Sequence, residues 1–250
     1  MPFGRLIPCL DVTGGQVVKG ISFQQLRVVG DPVDLAVAYS AGGADELVFL
    51  DITATIDNAE TTVEVVKRVA DEITIPFTVG GGIRTRDNAA RLIEAGADRV
   101  SINSAALARP DLITEIADLY GTQAVVVAID SRDGVVFSHG ASRSTGLNVI
   151  EWAQHAASFG AGEILLTSIN QDGQRSGYDL ATTKAVRDAI TIPVIASGGA
   201  GTARHVAEAL QVADAALLAS IVHEDPSQLR ALRREIIAAG AHLRPLTEEM

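Results

Sequence analysis

Short runs of β-branched and apolar residues, bounded by Gly, Pro or Asp, recur along the chain, and amphipathic stretches of helical length separate them. The runs at 6–12, 46–52, 76–80, 99–103, 123–130, 163–169, 193–197 and 215–220 read as strands. Helices are expected near 31–42, 60–72, 86–95, 110–119, 148–159, 179–189, 202–211 and 226–239. Strict alternation of strand and crossover helix predicts a parallel sheet. Eight such units in 250 residues favour a single α/β domain closed into a (βα)8 barrel over an open doubly wound sheet.

The chain also repeats itself. Gly43-Ala44-Asp45-Glu46-Leu47 returns as Gly160-Ala161-Gly162-Glu163-Ile164, and Ile75-Pro76-Phe77-Thr78-Val79-Gly80-Gly81-Gly82 returns at the same offset as Ile192-Pro193-Val194-Ile195-Ala196-Ser197-Gly198-Gly199. The barrel therefore reads as two half-barrels, about 1–122 and 123–250. A hydrophobic content of 47% can fill the core of such a barrel. The net charge of −11 and the lack of any basic cluster interleaved with aromatics argue against nucleic acid, so an anionic ligand needs local capture. No signal-peptide pattern or membrane-length apolar run is evident, which makes the cytoplasm the expected compartment. The single cysteine, Cys9, excludes an intrachain disulfide and a multi-cysteine metal site, and no ligand spacing joins the five histidines. Neither metal nor cofactor is expected.

In a (βα)8 barrel the active site lies at the C-terminal ends of the strands. Asp11 and Asp130 each end an apolar strand, and the half-barrel repeat puts them on opposite sides of the mouth, where two carboxylates in different surroundings can act as acid and base. Gly80-Gly81-Gly82 and Gly198-Gly199-Ala200-Gly201 sit between strand and helix, where bare backbone N–H groups can approach an anion. Asn103-Ser104 and Ser220 end the strands beside them. Two matching cradles suggest a ligand with a phosphate at each end. Lys19 falls in the long loop after the first strand, Asp172-Gly173 reads as a turn or a substrate contact, and 138–146 is small, polar and suited to a lid.

Period-two alternation carries the argument to the other end of the barrel. If Asp11 points inward, so does Arg5. If Asn103 and Thr167 point inward, so do Arg99 and Glu163, with Glu46 in the equivalent place by the repeat. Two arginines and two glutamates then make a charge-balanced ring across the barrel floor, either a gate or docking surface or a structural ion-pair plug.

Taken together, Cys9-Leu10-Asp11-Val12, Val17-Val18-Lys19-Gly20, Leu50-Asp51-Ile52-Thr53-Ala54, Gly80-Gly81-Gly82-Ile83-Arg84, Ser101-Ile102-Asn103-Ser104, Ala128-Ile129-Asp130, Ser176-Gly177-Tyr178-Asp179 and Ala196-Ser197-Gly198-Gly199-Ala200-Gly201 closely resemble the family of cyclase subunits of imidazole glycerol phosphate synthase. The resemblance implies an enzyme of histidine biosynthesis that joins ammonia to a bis-phosphorylated ribulosyl nucleotide and closes the imidazole ring. It implies Asp11 and Asp130 as the catalytic pair and Lys19 on a mobile loop. One phosphate would lie on Gly82, Asn103 and Ser104, and the other on Asp172, Gly173, Gly199, Ala219 and Ser220, with Thr167 on the substrate. Arg5, Glu46, Arg99 and Glu163 match an ammonia gate, and Asp98 and Gln123 match positions facing a glutaminase partner in a heterodimer. Arg99 stands where the family carries Lys, Ser22 and Val28 where it carries Asn and Asp, and Arg143 is the only basic residue of 140–146, where relatives tend to carry two. The rival readings are the isomerase one step earlier in the same pathway and a non-catalytic barrel that activates a glutaminase.

Overall fold

The structure is a computed structural model that describes residues 2–21, 24–52, 60–223 and 225–246. The first half runs β1 (Arg5–Thr13), β2 (Gln16–Ile21), β3 (Gln24–Gly30), α1 (Pro32–Ala41), β4 (Leu47–Asp51), α2 (Glu60–Glu72), β5 (Phe77–Gly80), α3 (Arg86–Glu94), β6 (Arg99–Ile102), α4 (Ser104–Ala108) and α5 (Asp111–Tyr120). The second runs β7 (Val125–Arg132), β8 (Val135–Ser138), β9 (Arg143–Asn148), α6 (Val149–Ser158), β10 (Glu163–Ser168), α7 (Leu180–Ala189), β11 (Val194–Ser197), α8 (Ala203–Ala209), β12 (Ala215–Leu218), α9 (Ser220–His223) and α10 (Leu229–Ala238). The strands β1, β4, β5, β6, β7, β10, β11 and β12 pair in that order, all parallel. Pairing of Arg5 with Ala215 returns β12 to β1 and closes the barrel.

Local chemistry repeats with the halves. Thr85 caps α3 by accepting from the Asn88 N–H at 3.2 Å, and Thr202 caps α8 through the His205 N–H at 3.2 Å. Asp31 and Asn148 cap α1 and α6 in the same way, through the N–H groups of Val33 and Ile150. Each cap satisfies a helix-end donor at the mouth of the barrel and fixes where the preceding loop must end.

Two apolar layers result. The larger lies between barrel and helices, with Phe49 and Phe77 meeting edge to face. The smaller fills the barrel itself with Ile7, Cys9, Val48, Val126, Leu165, Ile195, Ala215 and Leu217. These are the inward positions that alternation assigns, so the barrel is packed between its floor and its mouth.

Two departures from the expected elements occur at matching places. The segment expected to be a loop around Lys19 is the antiparallel hairpin β2–β3, added to β1 through Val12 and Val17. The segment expected to be a lid is the turn and second strand of β8–β9, added to β7. Both follow tight reversals with positive φ, at Gly14-Gly15 (55° and 78°) and Asp133-Gly134 (52° and 77°). Those dipeptides are hairpin-turn chemistry, and the strands beyond them are short, with apolar runs of at most three residues. Consequently Asp11 and Asp130 lie inside strands that continue two residues past each of them. Gln123 falls in a 3-10 turn (Thr122–Ala124) before β7, Glu46 directly precedes β4, and Ser220 opens α9 where a strand end was expected.

Candidate active site

At the mouth, the side chains of β1 and β7 set the chemistry. Asp11 accepts a weak hydrogen bond from the Cys9 thiol at 3.8 Å, and Asp130 accepts one from Asn103 Nδ2 at 2.9 Å. Burial, then repulsion from Asp172, pushes Asp11 up to about 7, with the Cys9 bond opposing. The same two causes push Asp130 up to about 6, opposed by Asn103. Burial raises Asp172 as well. Three carboxylates thus share a partly desolvated mouth, two of them titrating near neutrality. Thr167 pairs in register with Asp130 on one side and Ser197 on the other, which places it on the same inward row.

The two glycine turns are required by close contact. A Cβ on Gly81 (φ 105°) would lie 2.1 Å from the Asp51 carbonyl oxygen, and one on Gly199 (φ 106°) would lie 2.0 Å from that of Gly177. Beside the first turn is Gly82 (φ 66°), with Asn103 and Ser104 at the start of α4. Because Asn103 turns its amide nitrogen to Asp130, its side chain leaves the acceptor Oδ1, which has no hydrogen-bond partner among the described residues. An anion there would meet main-chain N–H groups and the Ser104 hydroxyl. Ser104 Oγ accepts from the His139 N–H at the β8–β9 turn, 2.9 Å away, so its own proton is directed elsewhere. Around the second turn lie Asp172, Gly173 (φ 74°), Ala219 and Ser220. Lys19 is in β2, opposite Arg27. Its side chain lies outside the described structure, as do Ser22 and the Thr53-Ala54 pair.

At the opposite end the four charged side chains meet. Arg5 bonds Glu46 at 2.7 Å and also bonds Glu163. A single nitrogen of Arg99 reaches both glutamates, at 2.8 and 3.0 Å. Both carboxylates are buried, and both arginine side chains are about one-fifth exposed. Asp98 and Gln123 are exposed near that end. Asp98 also accepts from the Phe77 N–H at 2.7 Å, and Gln123 donates to the Tyr120 carbonyl at 2.7 Å, so both have local structural partners as well.

Sequence reasoning did not find the Asn103–Asp130 bond, the influence of Asp172 on both carboxylates, or the contact of His139 with Ser104. Only the third had a signal, the Asp133-Gly134 dipeptide that starts the hairpin. No group of three or more His, Cys, Asp or Glu among the described residues could hold a metal ion, and no helix among them is long and apolar enough to cross a membrane.

Comparison with known proteins adds an independent line. A family model described as "Histidine biosynthesis protein" matches residues 5–227. Proteins named "Imidazole glycerol phosphate synthase subunit HisF" from Synechococcus sp. (strain CC9605) and Lysinibacillus sphaericus are each 53% identical to this chain, covering 96% of it and 98% of their own length. The protein of that name from Myxococcus xanthus is 52% identical, over 97% and 98%.

Proposed function

The chain belongs to the histidine-biosynthesis protein family, among the HisF cyclase subunits of imidazole glycerol phosphate synthase, and from that premise we propose that Asp11 and Asp130 are its acid and base. The substrate is the bis-phosphorylated phosphoribulosyl-formimino-aminoimidazole carboxamide ribotide, and the products are imidazole glycerol phosphate and aminoimidazole carboxamide ribotide. Its two phosphates lie in the two glycine cradles, with Gly82, Asn103 and Ser104 at one end and Asp172, Gly173, Gly199, Ala219 and Ser220 at the other. Thr167 and Lys19 contact the part between. Held at both ends, the reacting centre stays between the two carboxylates, so the cradles supply orientation and the carboxylates proton transfer.

The observation that carries this reading is the pair of half-buried carboxylates raised to about 7 and about 6 on facing strands. Near neutral pH, Asp130 is mostly ionised and Asp11 is divided between its two forms, so a base and an acid are present together. Ammonia adds to the substrate carbonyl while Asp130 takes a proton from the attacking nitrogen. Asp11 gives a proton to the departing oxygen as the imine forms, and the pair then exchange protons through ring closure and elimination. Cys9 is no rival nucleophile: burial, then the charges of Asp11 and Asp172, push its thiol up, opposite to the shift that activates a cysteine.

Ammonia comes from a glutaminase subunit docked at the end where Asp98 and Gln123 are exposed, and it enters past Arg5, Glu46, Arg99 and Glu163. The test is ammonia-dependent turnover with Asp11→Asn and Asp130→Asn, followed by glutamine-dependent turnover with a glutaminase subunit added. Each substitution is expected to lower kcat by about 10²–10⁴-fold with the fold retained. Full turnover by folded Asp11→Asn would overturn the assignment.

A further inference from the structure

The loop after β10 carries one more charge than the phosphate cradle just assigned. It leaves the strand with two turns, in which the Gln171 and Asp172 N–H groups reach the Ser168 carbonyl at 3.2 and 3.0 Å, and it ends on the Gly177 N–H bonded to the Gly199 carbonyl at 2.9 Å. Ser176 Oγ braces it by donating to Gln171 Oε1 at 2.7 Å. Between these anchors Arg175 adopts φ 56°, a left-handed conformation that is strained for a non-glycine residue. Its backbone is also confined, because a Cβ on Gly201 would lie 2.2 Å from the Arg175 carbonyl oxygen. This strained placement sends the guanidinium across to the β12 loop, where Nη2 donates to the Ser220 carbonyl at 2.8 Å.

The second cradle otherwise offers main-chain donors, the neutral Ser220 side chain and one carboxylate. Asp172 repels a phosphate, the Ser220 carbonyl turns the negative end of its dipole toward the loop, and the whole chain carries −11. A phosphate dianion settles beside a carboxylate only with a compensating cation nearby, and a planar guanidinium presents five N–H donors suited to phosphate oxygens. We propose that Arg175 is the cation of the second phosphate cradle: seated on the Ser220 carbonyl, its guanidinium receives the phosphate lying against Gly173, Gly199 and Ser220 and sets the affinity for that end of the substrate. The proposal rests on the bis-phosphorylated substrate read above.

Steady-state turnover with ammonia tests it, comparing the wild-type protein with Arg175→Gly, Arg175→Lys and Lys184→Gln, the last removing one positive charge from the exposed face of α7. Arg175→Gly suits the left-handed backbone and removes only the side chain. It is expected to raise KM about 10- to 100-fold, the range for a charge-assisted hydrogen bond, with kcat within about threefold and an unfolding midpoint close to wild type, relief of the left-handed strain offsetting the added freedom of the unfolded chain. Arg175→Lys recovers part of the loss, Lys184→Gln behaves as wild type, and inorganic phosphate inhibits Arg175→Gly more weakly. A wild-type KM in Arg175→Gly overturns the assignment. So does a lower unfolding midpoint with kcat and KM both impaired and no rescue by lysine, since that describes a structural brace. Absence of turnover by the wild-type protein itself would instead overturn the functional reading beneath it.

Discussion

At the barrel floor, Glu46 and Glu163 each face two guanidinium groups within hydrogen-bonding distance, whereas at the mouth Asp11 and Asp130 have a thiol and an amide as their recorded partners and a third carboxylate close by. The two ends are built from the same eight strands, and each gathers carboxylates, two of them buried at the floor and three half-buried at the mouth. What differs is the company. At the floor the charges compensate one another and four side chains lock into one arrangement. At the mouth compensation is withheld, so protonation and ionisation of the same group become nearly equal in free energy, which is the condition for moving protons at neutral pH. The floor is built to hold its charge and the mouth to exchange it.

The sharpest way to break the floor is Glu163→Gln, which leaves two arginines facing Glu46 alone. Removing one partner from a buried ionic group typically costs about 3–5 kcal/mol, and a loss of that order is expected in denaturant unfolding. Replacing the whole ring with Met at Arg5 and Arg99 and Leu at Glu46 and Glu163 should cost far less, or stabilise, because no charge is then left uncompensated. Equal losses from the single and quadruple replacements would show that packing, not charge balance, holds the floor.

At the mouth the same measurement should change sign. Asp11 is raised to about 7 in the folded chain from an ordinary value near 3.8. Its contribution to stability is therefore complete below about pH 4 and is lost as pH rises through about 7, because the unfolded chain ionises first. Asp11→Asn removes that liability. It is expected to stabilise the fold by about 2–4 kcal/mol at pH 8 and to change little at pH 4, while lowering kcat by about 10²–10⁴-fold. A stabilisation independent of pH would mean that the carboxylate is not held protonated by its surroundings.

The barrel and both ends of it were legible because their signals are periodic. Alternation within single strands was enough to turn Arg5, Arg99 and Glu163 toward one another, and repetition between halves supplied Glu46. What escaped was set by contacts between loops. The bond from Asn103 to Asp130 depends on how β6 and β7 stagger, which no local pattern records. The hairpins were announced only by Gly14-Gly15 and Asp133-Gly134. Arg233 sits on a charged, amphipathic helix and reads as a surface residue, yet it is 1% exposed, bonded to Asp45 at 2.7 Å and to the Gly43 carbonyl at 3.0 Å. Asp45 in turn accepts from the Leu6 N–H at 2.9 Å, so a contact between residues far apart in sequence fixes the start of β1.

The smallest expected effect concerns Arg99, where the family resemblance leads one to expect a lysine. Arg99 holds both glutamates through one nitrogen and reaches Glu46 again through Nη2 at 3.5 Å, a planar arrangement that a lysine ammonium cannot reproduce. Arg99→Lys keeps the charge balance and loses the extra contact, so a cost of about 1 kcal/mol or less is expected in unfolding, well below that of Glu163→Gln. Its interest is kinetic. A single compact charge on a flexible stem leaves the ring more easily than a guanidinium bonded to both glutamates. The ratio of glutamine-dependent to ammonia-dependent turnover should therefore rise in Arg99→Lys with the glutaminase subunit present, while turnover with free ammonia alone stays within about twofold. An unchanged ratio beside a measurable loss of stability would leave the floor as an ion-pair plug and take the gate out of the ammonia path.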